Sequence, residues 1–292
     1  MSDKVTIGVP VYNGEQFLRG ALDALIAQDH PHIEIIISDN ASTDGTQAIC
    51  REYENRYSNV RYHRNKENIG PSGNFQKVLS LATGDYFMWA AHDDSWSTNY
   101  VSSLLAQLQA KPTAVLATPL TKHVHDDLSD SKHSDDRPAP GKSRLSNLRR
   151  FYKDHACTWI YGLYRTEWVK SHVAELDHYV FYGGDMLWMV DIMLRFDVVG
   201  SEEAIISKRV RKSSFTPKDP VADRAAWKKI FRQLTHLSWH RPPSMPERLG
   251  ALFASWRYVF RKHIRKGGPL TVTRKIADLI PFSQPVTQRK AA

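Results

Sequence analysis

The sequence has few cysteines and no long apolar run. Cys50 and Cys157 are the two cysteines among 292 residues, and thiols so far apart form neither a disulfide framework nor a pair of metal ligands. A membrane-spanning helix needs about 18 consecutive apolar residues, and the most apolar stretch, MLWMVDIML at 186–194, is shorter and contains Asp191. We therefore expect reduced thiols and no spanning helix.

The sequence also lacks a recognisable targeting segment and the common phosphate-binding glycine motifs. The first ten residues, MSDKVTIGVP, contain no charged segment followed by an apolar core, so we expect a cytoplasmic protein. No G-x-G-x-x-G follows an early strand, and no G-x-x-x-x-G-K-[ST] occurs. The usual dinucleotide and P-loop sites are thereby excluded, and a bound diphosphate would need a metal ion instead.

Acidic residues are scarce in the last third of the chain. Residues 205–292 contain 20 Lys and Arg but 4 Asp and Glu, a formal charge of +16, whereas residues 1–204 carry −7. A basic segment of this kind fits nucleic acid, anionic lipid or a phosphorylated substrate, and charge alone does not choose among them.

The first 120 residues contain strand and helix patterns in alternation. Apolar or β-branched runs predict strands at 5–11, 33–38, 60–63, 86–91 and 114–118. Such an alternation predicts an α/β fold with a mostly parallel, Rossmann-like sheet flanked by helices. Further along we predict a loop or insertion over 121–142, helices at 145–153 and 185–196, and strands at 158–164 and 204–210.

Polar segments follow the first four predicted strands: PVYNGE, DNASTDGT, RNKENIG and HDDSW. Ligands of parallel sheets bind at the carboxyl ends of the strands, so these segments predict one site. Asp93 and Asp94 in HDDSW would repel each other unless a cation, hydrogen-bond donors or solvent offsets their charges. A solvated turn and a divalent-metal site both remain open.

Two other acidic clusters have simpler interpretations. Asp44 precedes a helical segment and predicts an N-cap. His123, His125, Asp126 and Asp127 could ligate a metal, but a solvated loop is the preferred interpretation because nothing fixes their geometry.

The motifs VPVYNGEQFL, SDNASTDGT, ENIGPSGNF and HDD, in this order and spacing, resemble the nucleotide-sugar domain of family 2 glycosyltransferases, an inverting group with a GT-A fold. The resemblance covers residues 4–120 strongly and extends more loosely to about residue 215. It implies a nucleotide pocket lined by Pro10, Tyr12 and Asn13, a base contact from Asp39, and an adjacent loop shaped by Asn68 and Gly70.

The same resemblance implies a metal ligand after the fourth strand. The family has Asp-x-Asp there, and its last carboxylate binds the manganese or magnesium ion held by the donor diphosphate. This chain has Ala91, His92 and Asp93 at those positions. The resemblance thus implies that Asp93 binds Mn²⁺ or Mg²⁺, with Asp94 as a second ligand or supporting residue. For His92, packing and ligation remain open.

A general base and diphosphate-facing cations are also implied. Asp185 in YGGDMLW occupies the place of the family's acidic base, and a helix cap is its alternative role. Arg209 and Arg211 occupy the place of residues that face the diphosphate, although a solvated basic strand would give the same pattern.

The implied activity is metal-dependent transfer of a sugar, with inversion, from a nucleotide-diphosphate donor to an acceptor hydroxyl, as in bacterial cell-surface polysaccharide or glycolipid synthesis. A UDP-sugar donor and a saccharide or lipid-linked saccharide acceptor are expected, and nucleic acid is not. The corresponding division is a nucleotide-sugar half (1–120), an acceptor half (121–215) and a basic helical extension (216–292). A non-catalytic relative and a nucleic-acid-binding protein are the alternatives.

Within the extension, residues 246–266 predict an amphipathic helix. Its apolar stripe comprises Leu249, Leu252, Phe253, Trp256, Phe260 and Ile264, and cations flank it. Such a helix either lies on an anionic membrane surface, which would make the protein peripheral to the cytoplasmic membrane, or packs against the rest of the chain.

Overall fold

The computed structural model describes residues 3–125, 130–135, 137–154, 158–174, 184–210 and 220–265. Within them a nine-stranded sheet has helices on both faces. The strands are β1 (Val5–Val11), β2 (Ile33–Asp39), β3 (Val60–Arg64), β4 (Tyr86–Trp89), β5 (Ser95–Trp96), β6 (Ala114–His125), β7 (Asp130–Ser134), β8 (Leu163–Arg165) and β9 (Asp197–Val210). The helices are α1 (Leu18–Ile26), α2 (Thr46–Arg56), α3 (Gly70–Ser80), α4 (Tyr100–Ala110), α5 (Arg144–Asp154), α6 (Thr166–His172), α7 (Gly184–Arg195), α8 (Pro220–His240) and α9 (Met245–Arg265).

The sheet is mixed, with the order β3-β2-β1-β4-β8-β6-β9-β5, and β7 pairs with β6. Strands β1 to β4 are parallel. Because β8 is antiparallel to both β4 and β6, β6 runs in the same direction as β4, and β9 is parallel to β6. The carboxyl ends of β1 to β4 therefore lie at one edge of the sheet, as the predicted α/β fold requires. We call it the donor edge, because the family resemblance implies a nucleotide-sugar donor there.

Alternate side chains of the central strands pack on opposite faces. Ile35 and Ile37 join a core with α1, α2 and α4, whereas Ile36 joins a second core with α3, α5 and α7. Trp89 is fully buried in the second core. Its ring contacts Phe75, Phe87, Tyr164 and Trp188. Burying so large a side chain contributes on the order of 3 kcal/mol.

Helices α8 and α9 complete this second core. Ser244 caps the start of α9 after two prolines, because its Oγ accepts the Glu247 amide at 3.4 Å and donates to the Glu247 carboxylate at 2.9 Å. The residues that α8 and α9 bury there include Ile230, Leu234, Leu237, Ala251, Ala254 and Tyr258. The predicted helix at 246–266 thus packs on the rest of the chain, but through small residues and Tyr258. No helix in the described part of the chain has the length and apolarity needed to cross a membrane.

Two sequence predictions need correction. The predicted loop at 121–142 contains the end of β6 and β7, which form an antiparallel hairpin; its strand residues are largely polar and give no apolar pattern. The predicted strand at 158–164 is a 3₁₀ turn, Trp159–Tyr161, followed by β8. Gly162 separates them because a Cβ there would lie 2.3 Å from the Ala117 carbonyl oxygen.

Candidate active site

The loops that follow β1 and β2 are joined by reciprocal hydrogen bonds at the donor edge. The Asn13 amide donates to Ser42 Oγ at 2.9 Å, and the Thr43 amide donates to Asn13 Oδ1 at 2.9 Å. Asn13 and Ala41 have positive φ angles of 50° and 60°, a conformation that asparagine tolerates better than alanine. This arrangement leaves Tyr12 45% exposed, while Pro10 is buried within β1.

Asp44 reinforces the same junction. Its carboxylate accepts the Thr46 amide at 3.1 Å and the Glu15 amide at 3.1 Å. These hydrogen bonds outweigh the effect of burial and lower the pKa of Asp44. The N-cap residue of α2 is Gly45, one residue after the predicted Asp44, but the Asp44 carboxylate accepts the first helical amide and joins the loops after β1 and β2.

Asp39 lies at the end of β2 with its side chain fully buried. Its carboxylate accepts the Ser42 amide at 2.8 Å, the Tyr62 hydroxyl at 2.8 Å and Arg64 Nη1 at 2.7 Å. Burial together with the Asp39 carboxylate raises the pKa of Tyr62. Arg64 also donates to the Ser42 carbonyl at 2.9 Å, and its side chain is 32% exposed. The partly accessible side chain of this cluster is thus Arg64, and the base contact predicted for Asp39 stays a prediction.

An asparagine network shapes the loop between β3 and α3. Asn40 Nδ2 donates to Asn68 Oδ1 at 2.8 Å, and Asn40 Oδ1 accepts the Ile69 amide at 2.9 Å. Asn65 Nδ2 connects Asn40 to Asn74, each at 3.1 Å. Gly70 begins α3 with a φ angle of 76°, which favours glycine. The predicted loop-shaping roles of Asn68 and Gly70 fit these contacts.

The paired carboxylates after β4 have different environments. Asp94 is 6% exposed, and its Oδ1 accepts the Arg209 backbone amide of β9 at 3.0 Å. Asp93 is partly exposed, and its carbonyl accepts Arg209 Nε at 3.3 Å. The Arg209 guanidinium lies 4.6 Å from the centre of the Phe17 ring. The Arg209 backbone amide therefore offsets part of the charge of Asp94, and the Arg209 guanidinium is held beside the loop that carries both carboxylates.

The residues near Asp93 fit a cation that arrives with a phosphate ligand. Among the described residues, no group of three or more His, Cys, Asp and Glu side chains is placed to hold a metal ion. Magnesium, however, is commonly held by one or two carboxylates together with substrate phosphates, and Asp93 supplies such an oxygen donor.

The neighbouring histidines have packing contacts. The His92 ring packs beside Gly14, where a Cβ would lie 2.9 Å from His92 Cδ2. His123 Nε2 is 3.2 Å from Ser134 Oγ within the β6–β7 hairpin. The His125 side chain and residues Asp126 and Asp127 lie outside the part of the chain that the structure describes.

Asp185 is the second residue of α7. Its Oδ1 accepts the Met186 amide at 2.8 Å, so it satisfies one of the free amides at the helix start. Burial raises the pKa of Asp185, against the effects of this hydrogen bond and of the positive charge on Lys208 in β9. A carboxyl group with a raised pKa beside a cation has the character of a general base. Arg211, the other predicted cation, lies outside the described residues.

Sequence reasoning missed Arg64, Tyr62 and Lys208. Asp39 and Arg64 are register partners in β2 and β3, and Tyr62 lies two residues before Arg64 on the same side of β3. A charged residue at the end of the strand VRYHR was the available signal. Lys208 gave no such signal, because its approach to Asp185 depends on how α7 packs against β9.

A cavity lies at the opposite edge of the sheet, near the starts of β6 and β9, and its lining includes Lys111, Arg144 and Asp197. The Asp197 carboxylate pairs with both cations, at 3.2 and 3.4 Å, and accepts the Thr113 hydroxyl at 2.8 Å. This cavity is therefore a less suitable place for chemistry than the donor edge.

Comparison with known proteins identifies relatives over part of the chain. The abequosyltransferase RfbV of Salmonella typhimurium strain LT2 is 36% identical over 110 residues, covering 37% of this chain and 33% of RfbV. The putative teichuronic acid biosynthesis glycosyltransferase TuaG of Bacillus subtilis strain 168 is 29% identical over 131 residues, covering 41% of this chain and 52% of TuaG. The chain thus matches about half or less of the length of these relatives.

The fold is similar to that of a solved glycosyltransferase structure. Staphylococcus aureus TarS 1–349, solved in complex with UDP-GlcNAc, superposes with a TM-score of 0.71, covering 94% of this chain and 79% of that one. At 18% identity this likeness concerns the fold alone, and it confirms the predicted GT-A architecture.

The family is identified by sequence over a longer stretch. Residues 6–173 match the sequence profile of the protein family called Glycosyl transferase family 2. The match covers more than half of the chain and includes β1 after its first residue, β2 to β4 and the loops that follow these strands. Together with the geometry of the donor edge, it establishes that the chain belongs to glycosyl transferase family 2.

Proposed function

We propose that this protein transfers a sugar from a nucleotide-diphosphate donor to an acceptor hydroxyl, with inversion, during the synthesis of a cell-surface polysaccharide or glycolipid. The observation that carries the proposal is that three accessible side chains of different chemistry lie at the donor edge. The exposed Tyr12, the accessible Arg64 and the Asp93 carboxylate all lie at the carboxyl ends of parallel strands. Family membership and the relatives RfbV and TuaG support the reaction class.

The donor nucleotide would lie between the loops after β1, β2 and β3. Tyr12 and Ile69, 45% and 44% exposed, offer apolar surface for a base. Arg64, fixed by Asp39 and the Ser42 carbonyl, offers hydrogen-bond donors to its polar edge. A UDP-sugar is the proposed donor, supported by the UDP-GlcNAc complex of the structural relative TarS. The acceptor is a saccharide or lipid-linked saccharide.

Asp185 is the proposed general base. It takes the proton of the acceptor hydroxyl while that oxygen forms a bond to the anomeric carbon from the side opposite the diphosphate. The bond between the anomeric carbon and the diphosphate oxygen breaks, and the nucleoside diphosphate leaves with the electron pair. One displacement of this kind inverts the anomeric configuration and needs a single carboxylate base.

Asp93 is the proposed ligand of a divalent cation, Mn²⁺ or Mg²⁺, with Asp94 supporting it. When bound, such an ion would neutralise charge on the leaving diphosphate. Asp94 holds the backbone of Arg209, and the Arg209 guanidinium adds a positive charge beside the same loop. Ala91 provides no acid at the first position of the family motif, so the protein's own donor for the ion is Asp93.

Thermal-shift measurements with a panel of nucleotide sugars, each with and without Mn²⁺, test the donor assignment. A specific donor stabilises the fold by RT ln(1 + [L]/Kd), so the melting temperature rises with the logarithm of its excess over its dissociation constant. We expect D93N to lose the Mn²⁺-dependent part of this shift, and D185N to keep the shift while losing turnover by a factor of about 10² to 10⁴.

The matched control is E202Q on β9, which removes a carboxylate whose side chain is 76% exposed and should preserve both shift and turnover. Near-normal turnover in D93N or D185N would contradict the assigned role. Donor binding by the unaltered protein without any turnover would indicate a non-catalytic relative.

A further inference from the structure

Helices α8 and α9 present an exposed apolar surface. Its members are Trp239, Met245, Leu249, Phe253 and Trp256, which we call the docking face. Met245, Leu249 and Phe253 are 52%, 56% and 62% exposed. The spacing of 245, 249, 253 and 256 places these residues of α9 along one side of the helix. Among the described residues, the remaining large apolar side chains with such exposure are Tyr12 and Ile69, at the donor edge.

The docking face is opposite to the side of α9 that packs on the rest of the chain. Ala251, Ala254 and Tyr258 are buried in the second core, and the buried Ser255 hydroxyl lies 2.9 Å from both Ser238 Oγ and Tyr152 Oη. Internal packing therefore explains the small residues of α9 and leaves its large apolar residues unexplained. Because the helix is fixed through its buried side, the docking face points outward.

Trp256 is oriented by α8. Its Nε1 donates to Thr235 Oγ1 at 3.1 Å, and its ring centre lies 6.1 Å from that of Phe231, yet 38% of the residue stays exposed. A tryptophan with a hydrogen-bonded nitrogen and a partly exposed ring suits the boundary between lipid and water. Trp239 at the end of α8 is 37% exposed.

The positive charge around the docking face favours an anionic partner. Residues 220–265 contain 10 Lys and Arg and 2 Asp and Glu, a formal charge of +8. Lys229, Arg232 and Arg257 are exposed on α8 and α9. Two copies meeting through this surface would bring like charges together, which disfavours self-association. Large apolar side chains flanked by cations are the pattern of helices that lie on anionic lipid.

We infer that the docking face binds the surface of an anionic lipid bilayer, with Leu249, Phe253 and Trp256 entering the interface and the cations facing lipid phosphates. The inference is independent of the transfer chemistry, because it concerns the other end of the chain. Its consequence is a peripheral membrane protein that holds its donor edge at a fixed orientation to the lipid.

Flotation of the full chain with lipid vesicles tests this inference. We expect binding to vesicles of equal parts phosphatidylcholine and phosphatidylglycerol, and weak or no binding to phosphatidylcholine alone. Because burial of a Leu or Phe side chain contributes about 1.5–3 kcal/mol, L249Q and F253Q should each weaken binding about tenfold or more. R257Q should weaken it about fivefold, as expected for one cation near anionic lipid.

Two control variants match these substitutions. I69Q removes an equally exposed apolar side chain at the donor edge, and R51Q removes an exposed cation from α2; both should bind vesicles like the unaltered protein. Unchanged melting temperatures for L249Q and F253Q would show that these variants fold.

Three results would overturn the inference. The first is no binding to phosphatidylglycerol vesicles, and the second is equal binding by L249Q, F253Q and the unaltered protein. The third is self-association in sedimentation velocity that F253Q abolishes without any vesicle binding, since the docking face would then be an interface between copies.

Discussion

Asp185 combines burial, a helix start and a nearby cation, and these three features set its chemistry. Burial raises the pKa of Asp185, while the Met186 amide and Lys208 act in the opposite direction. A carboxyl group in this environment loses its proton at higher pH than an ordinary aspartate, and the proposed base is active only after that proton is lost. The rate should therefore fall as the pH drops through the raised pKa.

Removal of the Lys208 charge should move this fall to higher pH. In K208M the carboxyl group keeps its burial and loses a stabilising cation, so its pKa rises further. We expect the acidic limb of the pH–rate profile to shift to higher pH, with the rate at its plateau much less affected. K153M, an exposed charge on α5, should leave the profile unchanged. An unshifted limb in K208M would show that Lys208 does not act on the base.

Arg64 is a second case at the residue scale, because two nitrogens of its guanidinium donate hydrogen bonds to different groups. One nitrogen donates to Asp39 at 2.7 Å and another to the Ser42 carbonyl at 2.9 Å. Lysine cannot reproduce this fork. We therefore expect R64K to raise the KM for the donor about tenfold with little change in kcat, the pattern of lost binding that is common to ground and transition states. A fall in kcat at unchanged KM would instead place Arg64 near the reacting bond.

At the scale of elements, one buried carboxylate holds the amino-terminal ends of the central strands together. Glu34 in β2 accepts hydrogen bonds from Thr6 in β1, from Thr83 before β4 and from Lys4, and pairs with Arg61 in β3. Burial opposes its ionisation, but the hydrogen bonds outweigh that effect and lower the pKa of Glu34 from 4.5 to about 2. The ionised Glu34 carboxylate therefore stabilises the folded state fully above pH 4.5, and this contribution disappears as the pH falls toward 2.

The variant E34Q should lose most of this pH-dependent stabilisation. At neutral pH we expect a loss on the order of 3 kcal/mol in the free energy of unfolding, and between pH 4.5 and 2 a shallower decline than in the unaltered protein. Urea unfolding at several pH values measures both. E52Q, which removes an exposed partner of Arg19, should change stability much less. Parallel declines for E34Q and the unaltered protein would contradict the assignment.

The orientation of α9 gives another element-scale prediction. A254L enlarges a side chain on the buried side and should cost about 1–3 kcal/mol through overpacking. F253Q changes the next residue on the exposed side and should alter stability by less than about 0.5 kcal/mol. Thermal melts of the two variants compare the two sides of one helix. The reverse order of effects would mean that α9 packs through its large apolar residues.

The sequence patterns predicted strands correctly where consecutive residues of a strand are buried on both faces of the sheet. The predicted strands at 5–11 and 33–38 agree with β1 and β2 because both are apolar runs in a sheet covered on two faces. The β6–β7 hairpin was missed because its residues are polar. The contact between Asp94 and Arg209 spans 115 residues and has no local pattern, so the sequence could nominate both residues but could not predict their hydrogen bond.

At the scale of the whole molecule, the chain separates two kinds of surface. The donor edge gathers carboxylates and amides from the first half and from β9, whereas the exposed apolar and basic surface lies on α8 and α9. Both surfaces adjoin the second core, because that core includes Trp89 of β4 together with residues of α7, α8 and α9. Of the two alternatives for 246–266, packing on the rest of the chain is present on one side of α9, and membrane binding by its other side stays a proposal.

The configuration of the new glycosidic bond tests the central claim most directly. The donor identified by thermal shift is incubated with an acceptor and Mn²⁺, and the anomeric configuration of the first-formed product is read by proton NMR together with release of the nucleoside diphosphate. The account predicts one diphosphate released per bond formed, a configuration opposite to that of the donor, and neither product with D185N. A product with retained configuration, or undiminished transfer by D185N, would contradict a single displacement with Asp185 as its base.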